Sequence, residues 1–269
     1  MNGRLVWVDG RILTGAETAI AADDHGLLIG DGVFETLATR DGVARFLDRH
    51  LRRLGTGVRR LSIEPPPDPD VLRRAIEELI AAADITRGRV RLTVTPGSGG
   101  VGRARGTAPT VIISIEEAAA PPDSMTLTQV EWIRNERSPL TGIKSTSWSE
   151  NAQILRSVRA QGFDEAVLCD STGLLSECCA ANLFLVIDGR IMTPSWRSGC
   201  LPGIIREVLL ESGDATECNL PPDQLLLAEE IFITSSINEI VGVSRVGDHH
   251  LLVDGPGTQQ ARAALATSD

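Results

Sequence analysis

Short apolar runs separated by turn dipeptides dominate the first part of the chain and predict a meander of β-strands. Within residues 4–13, two such runs flank Asp9-Gly10, which accepts the positive φ angles of a type I′ turn, so a β-hairpin is expected there. Asp41-Gly42 separates two further runs in the same way. The remaining strands predicted in this part of the chain lie at residues 33–39, 43–47, 89–95 and 110–115.

A different spacing, with apolar side chains every three or four residues, predicts two helices among these strands. Asp48 is the expected N-cap of the first helix, and Pro65-Pro66-Pro67 ends it. The second helix is expected at residues 70–83. The apolar face of the first helix consists of Leu51, Leu54, Val58 and Leu61. Hairpins interrupted by helices, rather than strict alternation of strand and helix, are typical of an α+β fold.

Residues 117–123 contain three alanines and two prolines, so they suit neither a strand nor the start of a long helix. We therefore predict an N-terminal α+β domain at residues 1–117, a linker at 118–123 and a C-terminal α/β domain at 124–269. In the second domain, the pattern predicts strands at residues 126–132, 165–169, 183–187 and 230–234, with helices at 149–161, 203–211 and 258–266. Asp188-Gly189 adds another hairpin turn.

The composition is that of an ordinary globular protein. The 269 residues suffice for one large domain or two of ordinary size, and no apolar run approaches the length of a membrane span. Residues 1–10 alternate and contain an Asp-Gly turn, where a secretory signal would have a basic end and an apolar stretch. We therefore expect a cytoplasmic protein that does not insert into membranes.

Charge and cysteine content argue against two classes of ligand. The net charge of −10 repels nucleic acid, and the arginines are scattered along predicted helices rather than gathered in a stripe with aromatic residues. The five cysteines, which include the adjacent pair Cys178-Cys179, are odd in number and irregularly spaced, as in proteins with reduced thiols. None of them has the spacing of zinc ligands. We predict neither nucleic-acid binding nor a metal site.

One residue type is nearly missing, because Lys144 is the only lysine whereas arginine occurs twenty-five times. A guanidinium stays protonated, but an ε-amine can lose its proton, form an imine with an aldehyde and move protons. Lys144 is therefore a candidate Schiff-base lysine. The alternative is that a general drift of composition toward arginine has left one lysine without a special role, and the residue count alone does not decide between the two.

Residues 97–102 match the pattern G-x-G-x-x-G of dinucleotide-binding proteins and follow a predicted strand. In that class of site the pattern opens a helix whose first turn binds phosphate, but here Gly106 and Pro109 follow and lead into another strand. A loop that borders a pocket is the better interpretation. Arg103 and Arg105 in this loop are candidates for binding a carboxylated substrate, the alternative being ordinary solvated charge.

Six segments carry a further signal, at residues 24–26, 30–36, 46–54, 142–151, 164–166 and 176–184. Together they resemble the signature of the fold-type IV pyridoxal-phosphate enzymes, and the likeness spans nearly the whole chain. This family comprises branched-chain aminotransferases, D-amino acid aminotransferases and 4-amino-4-deoxychorismate lyases. The resemblance implies pyridoxal 5′-phosphate (PLP) as the cofactor, a two-domain α+β fold with the active site between the domains, and a homodimer.

At the matching positions, the resemblance implies that two residues act on the reactive part of the cofactor. Lys144 would form the Schiff base with the aldehyde. Glu177 would keep the pyridine nitrogen protonated, and a protonated ring is the better electron sink for a carbanion.

The resemblance also implies how the phosphate of PLP is bound. Arg53 matches the phosphate-binding arginine of the family, and Ser236 is a further candidate. Main-chain amides of Ile204 and Ile205, at the start of a predicted helix, would accept the phosphate. Many relatives have a threonine at the position of Ile205, so that hydroxyl contact is missing here.

The implied substrate-binding residues are Phe34, Arg103, Arg105, Trp148, Cys179 and Ala180. The chain has no tyrosine, so Phe34 and Trp148 fill positions at which relatives often have one. A mechanism that uses a tyrosine as acid is therefore excluded.

The run at residues 177–184, with its two cysteines, and the glycine loop at 97–100 resemble bacterial 4-amino-4-deoxychorismate lyases. Aminotransferases of this fold commonly have Gly, Ser or Thr in place of the cysteines. We therefore expect a lyase that acts on aminodeoxychorismate, releases pyruvate and forms 4-aminobenzoate for folate biosynthesis, with Lys144 as the base.

Two other functions stay open. A class IV aminotransferase acting on branched-chain or other amino acids would use the same lysine, with Arg103 or Arg105 for a carboxylate. D-amino acid transamination is disfavoured, because Pro96 and glycines stand where those enzymes have an Arg-x-His pair. The third possibility is a binding or regulatory protein that has lost turnover, but retention of both Lys144 and Glu177 argues against it.

Overall fold

The computed structural model describes residues 5–14, 20–100 and 104–268. These fall into two compact units, at residues 1–119 with 143–148 and at 120–142 with 149–269. The segment that contains Lys144 thus belongs to the first unit, whereas the sequence prediction placed it in the C-terminal domain. The cause is backbone hydrogen bonding of this segment to residues 32–34 of the first unit.

The first unit is a six-stranded antiparallel sheet with two long helices packed on it. The strands are β1 (Leu5–Val8), β2 (Arg11–Thr14), β3 (Val33–Arg40), β4 (Val43–Ala44), β5 (Arg87–Thr95) and β6 (Thr110–Glu117). The helices are α1 (His25–Ile29), α2 (Leu47–Arg60) and α3 (Pro69–Ala83). The strand order is β2-β1-β6-β5-β3-β4. Leucines and isoleucines of α2 and α3 pack against β1, β3, β5 and β6 to form one apolar core.

Alternation of residue types along the strands explains why the core lies on one face of this sheet. In β5, Val90, Leu92 and Val94 are buried, while Arg89 and Arg91, which point to the other face of the strand, are exposed. The turn that joins β1 to β2 has φ of 44° at Asp9 and 92° at Gly10, which confirms the predicted hairpin.

The start of α2 differs from the prediction. Phe46, not Asp48, is the N-cap, and it has a left-handed backbone conformation without a side-chain capping bond. Asp48 lies inside the first turn, where its carboxylate pairs with Arg73 of α3. The predicted cap was wrong because β4 is only two residues long, so that the helix begins earlier.

The second unit is a mixed sheet of nine strands with helices around it. The strands are β7 (Met125–Arg134), β8 (Glu165–Asp170), β9 (Leu175–Cys178), β10 (Asn182–Ile187), β11 (Arg190–Pro194), β12 (Ala215–Cys218), β13 (Glu230–Ser235), β14 (Glu239–Val246) and β15 (His249–His250). The helices are α4 (Ser149–Ala160), α5 (Ile204–Glu211), α6 (Gln224–Leu227) and α7 (Pro256–Ala266). The order is β12-β11-β10-β13-β14-β7-β8-β9, with β15 beside β14. β7 runs parallel to both of its neighbours.

The strands predicted at residues 165–169, 183–187 and 230–234 are confirmed as β8, β10 and β13. Each is buried almost throughout, which accounts for its continuous apolar sequence. Asp188 and Gly189, with φ of 50° and 68°, form the predicted turn between β10 and β11.

Candidate active site

Lys144 is held beside the start of β3 by its own backbone. The Lys144 carbonyl accepts a hydrogen bond from the Phe34 N–H at 2.9 Å, and the Thr146 N–H donates to the Gly32 carbonyl at 2.9 Å. Ser145 pairs with Val33 in a short antiparallel bridge. The position of the lysine backbone is therefore fixed by the sheet of the first unit.

The aromatic ring of Phe34 is contacted by two cationic side chains. Lys144 Nζ lies 4.6 Å from the ring centroid, and Arg91 Cζ lies 3.9 Å from it. The ring itself is buried. Because the face of an aromatic ring attracts cations, Phe34 helps to hold the lysine side chain. Trp148, the other predicted aromatic contact, is partly buried at the end of the same segment, where its backbone N–H donates to the Thr146 carbonyl at 2.8 Å.

Arg53, the predicted phosphate ligand, is part of a buried network that the sequence did not reveal. Its Nε donates to Glu35 Oε1 at 2.8 Å and its Nη2 to Glu35 Oε2 at 2.6 Å. His50 Nδ1 lies 2.7 Å from the same Oε2. Glu35 therefore holds the guanidinium of Arg53 through two bonds and fixes its orientation.

The protonation states of this network follow from burial and charge. Burial alone would raise the pKa of Glu35, but the charge of Arg53 and hydrogen bonds from Arg53 and His50 outweigh it and lower this pKa to about 2. Burial lowers the pKa of His50, opposed by Glu35 and assisted by the charges of Arg53 and Lys144. The lowered pKa of His50 favours the neutral ring. Because the ionised carboxylate of Glu35 can only accept, the proton of that ring is placed on Nδ1, which donates to Glu35. The signal that could have revealed the network is a glutamate on the core-facing side of an apolar strand.

Arg105, a predicted substrate ligand, makes contacts within its own unit. Its Nε and Nη2 donate to the two carboxylate oxygens of Asp31, each at 2.7 Å. Its Nη1 donates to the carbonyls of Leu61 and Ser62 at the end of α2. The guanidinium is thus engaged on all three nitrogens. Arg103, the other candidate in this loop, lies outside the described residues.

Glu177, the predicted partner of the pyridine nitrogen, is buried at the end of β9 in the second unit. Its Oε1 lies 3.0 Å from Arg134 Nε, and its Oε2 accepts a hydrogen bond from the Leu201 N–H at 2.9 Å. Arg134 also donates to Asn151 Oδ1 at 3.1 Å. The sequence did not reveal Arg134, which is one of many arginines. The charge of Arg134 favours the anionic form of Glu177. An anion beside the pyridine nitrogen of PLP would in turn favour its protonated form.

The start of α5 is the predicted phosphate site. Gly203 is the N-cap, and no side chain among the described residues caps the first turn. Ile204 and Ile205 follow and are both buried, so their side chains anchor the turn while their amides lie at the positive end of the helix. Ser236 lies in the turn between β13 and β14, where it is partly buried.

Cys179 and Ala180 form the turn between β9 and β10. Their N–H groups donate to the buried carboxylate of Glu165, at 3.0 Å from Cys179 and 3.1 Å from Ala180. Burial raises the pKa of Glu165, while these backbone bonds oppose the shift. Burial and the nearby Glu165 also raise the pKa of the Cys179 thiol, which is therefore protonated at neutral pH. Cys179 is buried and Ala180 is exposed.

A model of the class IV amino-transferase family matches residues 32–246. The chain belongs to this family. Among its relatives, aminodeoxychorismate lyase of Bacillus subtilis is 27% identical over 90% of this chain and 86% of its own length. The branched-chain-amino-acid aminotransferase of Pseudomonas aeruginosa is 27% identical over 97% and 91%. A hypothetical aminotransferase from Mycobacterium tuberculosis, solved in a PLP-bound form, superimposes with a TM-score of 0.87 at 24% identity, over 98% of this chain and all of that one.

These comparisons confirm the fold-type IV assignment and the predicted α+β fold class, and the cofactor of this class IV enzyme is PLP. The residues fit such a cofactor. Within the first unit, an amine against an aromatic ring suits the aldehyde of PLP, and an oriented arginine suits its phosphate. Within the second unit, a buried carboxylate suits the pyridine nitrogen, and a helix start without a side-chain cap suits a phosphate.

Among the residues that the structure describes, every helix is too short or too polar to span a bilayer. Within the same ranges, no three or more His, Cys, Asp or Glu side chains are grouped as metal ligands would be.

Proposed function

We propose that the protein is a 4-amino-4-deoxychorismate lyase, which releases pyruvate from aminodeoxychorismate and forms 4-aminobenzoate. The observation that carries this choice is the segment after Glu177, where Cys178, Cys179, Ala180 and Ala181 resemble the corresponding run of bacterial lyases. The 27% identity to the lyase of Bacillus subtilis over most of both chains supports it.

The proposal gives Lys144 the proton transfers. When its ε-amine is free and neutral, it removes the proton from the amine-bearing ring carbon of the substrate. Its backbone bonds to the first unit and the contact with Phe34 limit where this nitrogen can go. Bound PLP supplies the electron sink for the carbanion that results.

The remaining residues are proposed to supply the charges that bind the pyridine nitrogen and the phosphate of PLP and to fix its orientation. Glu177, fixed by Arg134 and by the Leu201 N–H, provides the negative charge that keeps the pyridine nitrogen protonated. Arg53, oriented by Glu35, is the phosphate ligand proposed for the first unit. The amides of Ile204 and Ile205 and the hydroxyl of Ser236 are the phosphate ligands proposed for the second unit.

The overall reaction needs no second substrate. The carbon–oxygen bond to the enolpyruvyl group breaks, the pair of electrons leaves with oxygen, and a proton taken up by the departing group gives pyruvate. Loss of the proton from the ring makes it aromatic. The driving force is therefore in the substrate, and the protein supplies a base and a fixed charge distribution.

The proposal is tested with purified protein, PLP and enzymatically generated aminodeoxychorismate. We expect 4-aminobenzoate and pyruvate in equal amounts, with no amino acid or keto acid required. Lys144→Ala is the matched control and should form neither product. If the PLP-loaded wild-type protein forms neither product, the lyase assignment is wrong.

The second candidate is a class IV aminotransferase for branched-chain or other amino acids, favoured by the equal identity to the enzyme of Pseudomonas aeruginosa. It would require a carboxylate ligand, and the engagement of Arg105 with Asp31 and with the end of α2 makes that residue less available. A half-reaction discriminates the two functions. An amino acid that changes the visible spectrum of the cofactor and yields a keto acid supports transfer.

We also propose, from the family resemblance, that the protein is a cytoplasmic homodimer. Light scattering on the PLP-loaded protein tests the oligomeric state, with a mass near twice that of the chain as the expected result.

A further inference from the structure

The side chain of Asn182 joins Glu177 to the segment that leads into α5. Asn182 is buried at the start of β10. Its Nδ2 donates to the Leu201 carbonyl at 2.9 Å and lies 3.4 Å from Glu177 Oε2. The Leu201 N–H donates to that same Oε2 at 2.9 Å. The carboxylate of Glu177, the backbone N–H and carbonyl of Leu201 and the side-chain amide of Asn182 thus form a closed ring of hydrogen bonds.

The other end of the same amide determines how α5 begins. A Cβ at Gly203 would lie 1.9 Å from Asn182 Oδ1, so the backbone of the N-cap packs directly against the amide. Gly203 has a φ of −67°, which any residue adopts. Glycine is therefore required here by space and not by backbone conformation. Ile204 and Ile205 follow immediately.

We propose that Asn182 is a positioning residue for PLP, which sets the distance between the carboxylate of Glu177 and the amides of Ile204 and Ile205. The inference rests on the roles proposed above for these three residues. The pyridine nitrogen and the phosphate belong to one rigid molecule, so both contacts form at full strength only when their protein partners are held at the right separation. A buried amide with bonds to both sides provides that separation.

The test measures two properties of bound cofactor that a general loss of stability does not change together. One is the dissociation constant of PLP, and the other is the ¹⁵N chemical shift of labelled PLP, which reports protonation of the pyridine nitrogen. For Asn182→Ala we expect about tenfold weaker PLP binding, as for loss of one hydrogen bond to a charged group and one to a backbone carbonyl. We also expect a shift of the ¹⁵N signal toward the unprotonated form.

Two variants serve as references. Glu177→Gln marks the full change of the ¹⁵N signal. Thr258→Val removes one buried hydrogen bond to Glu230 in the same unit, far along the chain from Glu177, and should lower stability without changing either PLP property. A similar loss of stability in Thr258→Val and Asn182→Ala, with changed PLP properties only in the latter, is the expected result.

Gly203→Ala changes the contact between Asn182 and Gly203 from the Gly203 side. It provides a second test if Asn182→Ala does not fold. Its methyl group must displace the Asn182 amide, so the same paired change is expected. Wild-type PLP affinity and an unchanged ¹⁵N signal in whichever of the two variants folds would overturn the inference while leaving the proposed function intact. A wild-type protein that binds no PLP, or binds it with an unprotonated ring, would overturn both.

Discussion

Because Lys144 is the only lysine, it is the only side chain that can form an imine with PLP, and a reduced imine can be assigned to it without ambiguity. Lys144→Arg keeps a cation near Phe34 but removes the nucleophile and base. We expect the variant to lose lyase activity by at least roughly 10²-fold, the usual size of a general-base contribution. Borohydride reduction followed by mass spectrometry should fix a pyridoxyl group on the wild-type protein at residue 144 and on no side chain of the variant.

Glu35 allows a prediction about pH, since its pKa falls from 4.5 to about 2 on folding. Its stabilising effect is complete above the pKa of the unfolded chain and is lost as the pH falls toward about 2. Glu35→Gln should lower the free energy of unfolding at pH 7 by about 3 kcal/mol, because it leaves Arg53 and His50 without their anion. Urea unfolding measured between pH 7 and pH 2 checks this.

The control for that measurement is Glu116→Gln, which removes a half-exposed carboxylate 3.7 Å from Arg89 in the same unit. We expect less than about 0.5 kcal/mol for this surface pair at every pH. A difference between wild type and Glu35→Gln that does not shrink in acid would show that the ion pair is not its source.

At the scale of elements, Glu230 connects β13 to the start of α7. Its carboxylate accepts hydrogen bonds from the N–H groups of Gly257 and Thr258, both at 2.9 Å, and from the Thr258 hydroxyl at 2.6 Å. The N-cap, Gly255, has no side chain for this purpose. Glu230→Gln should cost about 1–2 kcal/mol, since a neutral amide caps a helix start less well than an anion does. Denaturant unfolding measures the loss, and hydrogen exchange should show it concentrated in residues 256–266.

Asp48→Asn is the control that distinguishes loss of a helix-capping hydrogen bond from loss of a negative charge near a helix start. Asp48 is in the first turn of α2 but is not its N-cap, and it pairs with Arg73 at the surface. Its replacement should change stability by less than about 0.5 kcal/mol. Equal effects at Glu230 and Asp48 would contradict the role given to Glu230.

Elements with a long periodic pattern, and short strands joined by an Asp-Gly turn, were predictable from the sequence, whereas short elements without such a turn were not. The alternation of β5 and the helical spacing of α2 each extend over several turns or residues, so they are visible without tertiary information. β9, β12 and β15, with two to four residues, carry no measurable period and exist because neighbouring strands pair with them. The start of α2 was mispredicted for a similar reason, since a two-residue strand decides it.

The residues of the candidate site also differ in whether the sequence alone could predict them. Lys144 and Glu177 could be proposed from residue type and resemblance, because the chemistry of PLP demands an amine and an anion. Their supporting residues could not. Arg134 and Asn182 matter only through distances of 2.9 to 3.4 Å that the fold creates, and nothing in their type or spacing distinguishes them from other arginines and asparagines.

At the scale of the whole molecule, PLP should stabilise the folded chain by mass action, because only the folded state brings its partners into place. At a free concentration one hundred times the dissociation constant, the gain is about 2.7 kcal/mol, which corresponds to a rise in melting temperature of roughly 5 °C. Thermal unfolding followed by fluorescence, with increasing PLP, measures it.

Two analogues divide this gain between the proposed contacts. Pyridoxal lacks the phosphate, so it should stabilise less because Arg53 and the start of α5 have no ligand. Pyridoxine 5′-phosphate lacks the aldehyde and cannot form the imine, so it should stabilise the wild-type protein less than PLP does. For the same reason, its stabilising effect should be similar in the wild-type protein and in Lys144→Arg. If pyridoxal matched PLP, the phosphate site would be misassigned. If PLP raised the melting temperature of Lys144→Arg as far as that of the wild-type protein, the imine would contribute nothing to binding and the role of the lysine would have to lie in catalysis alone.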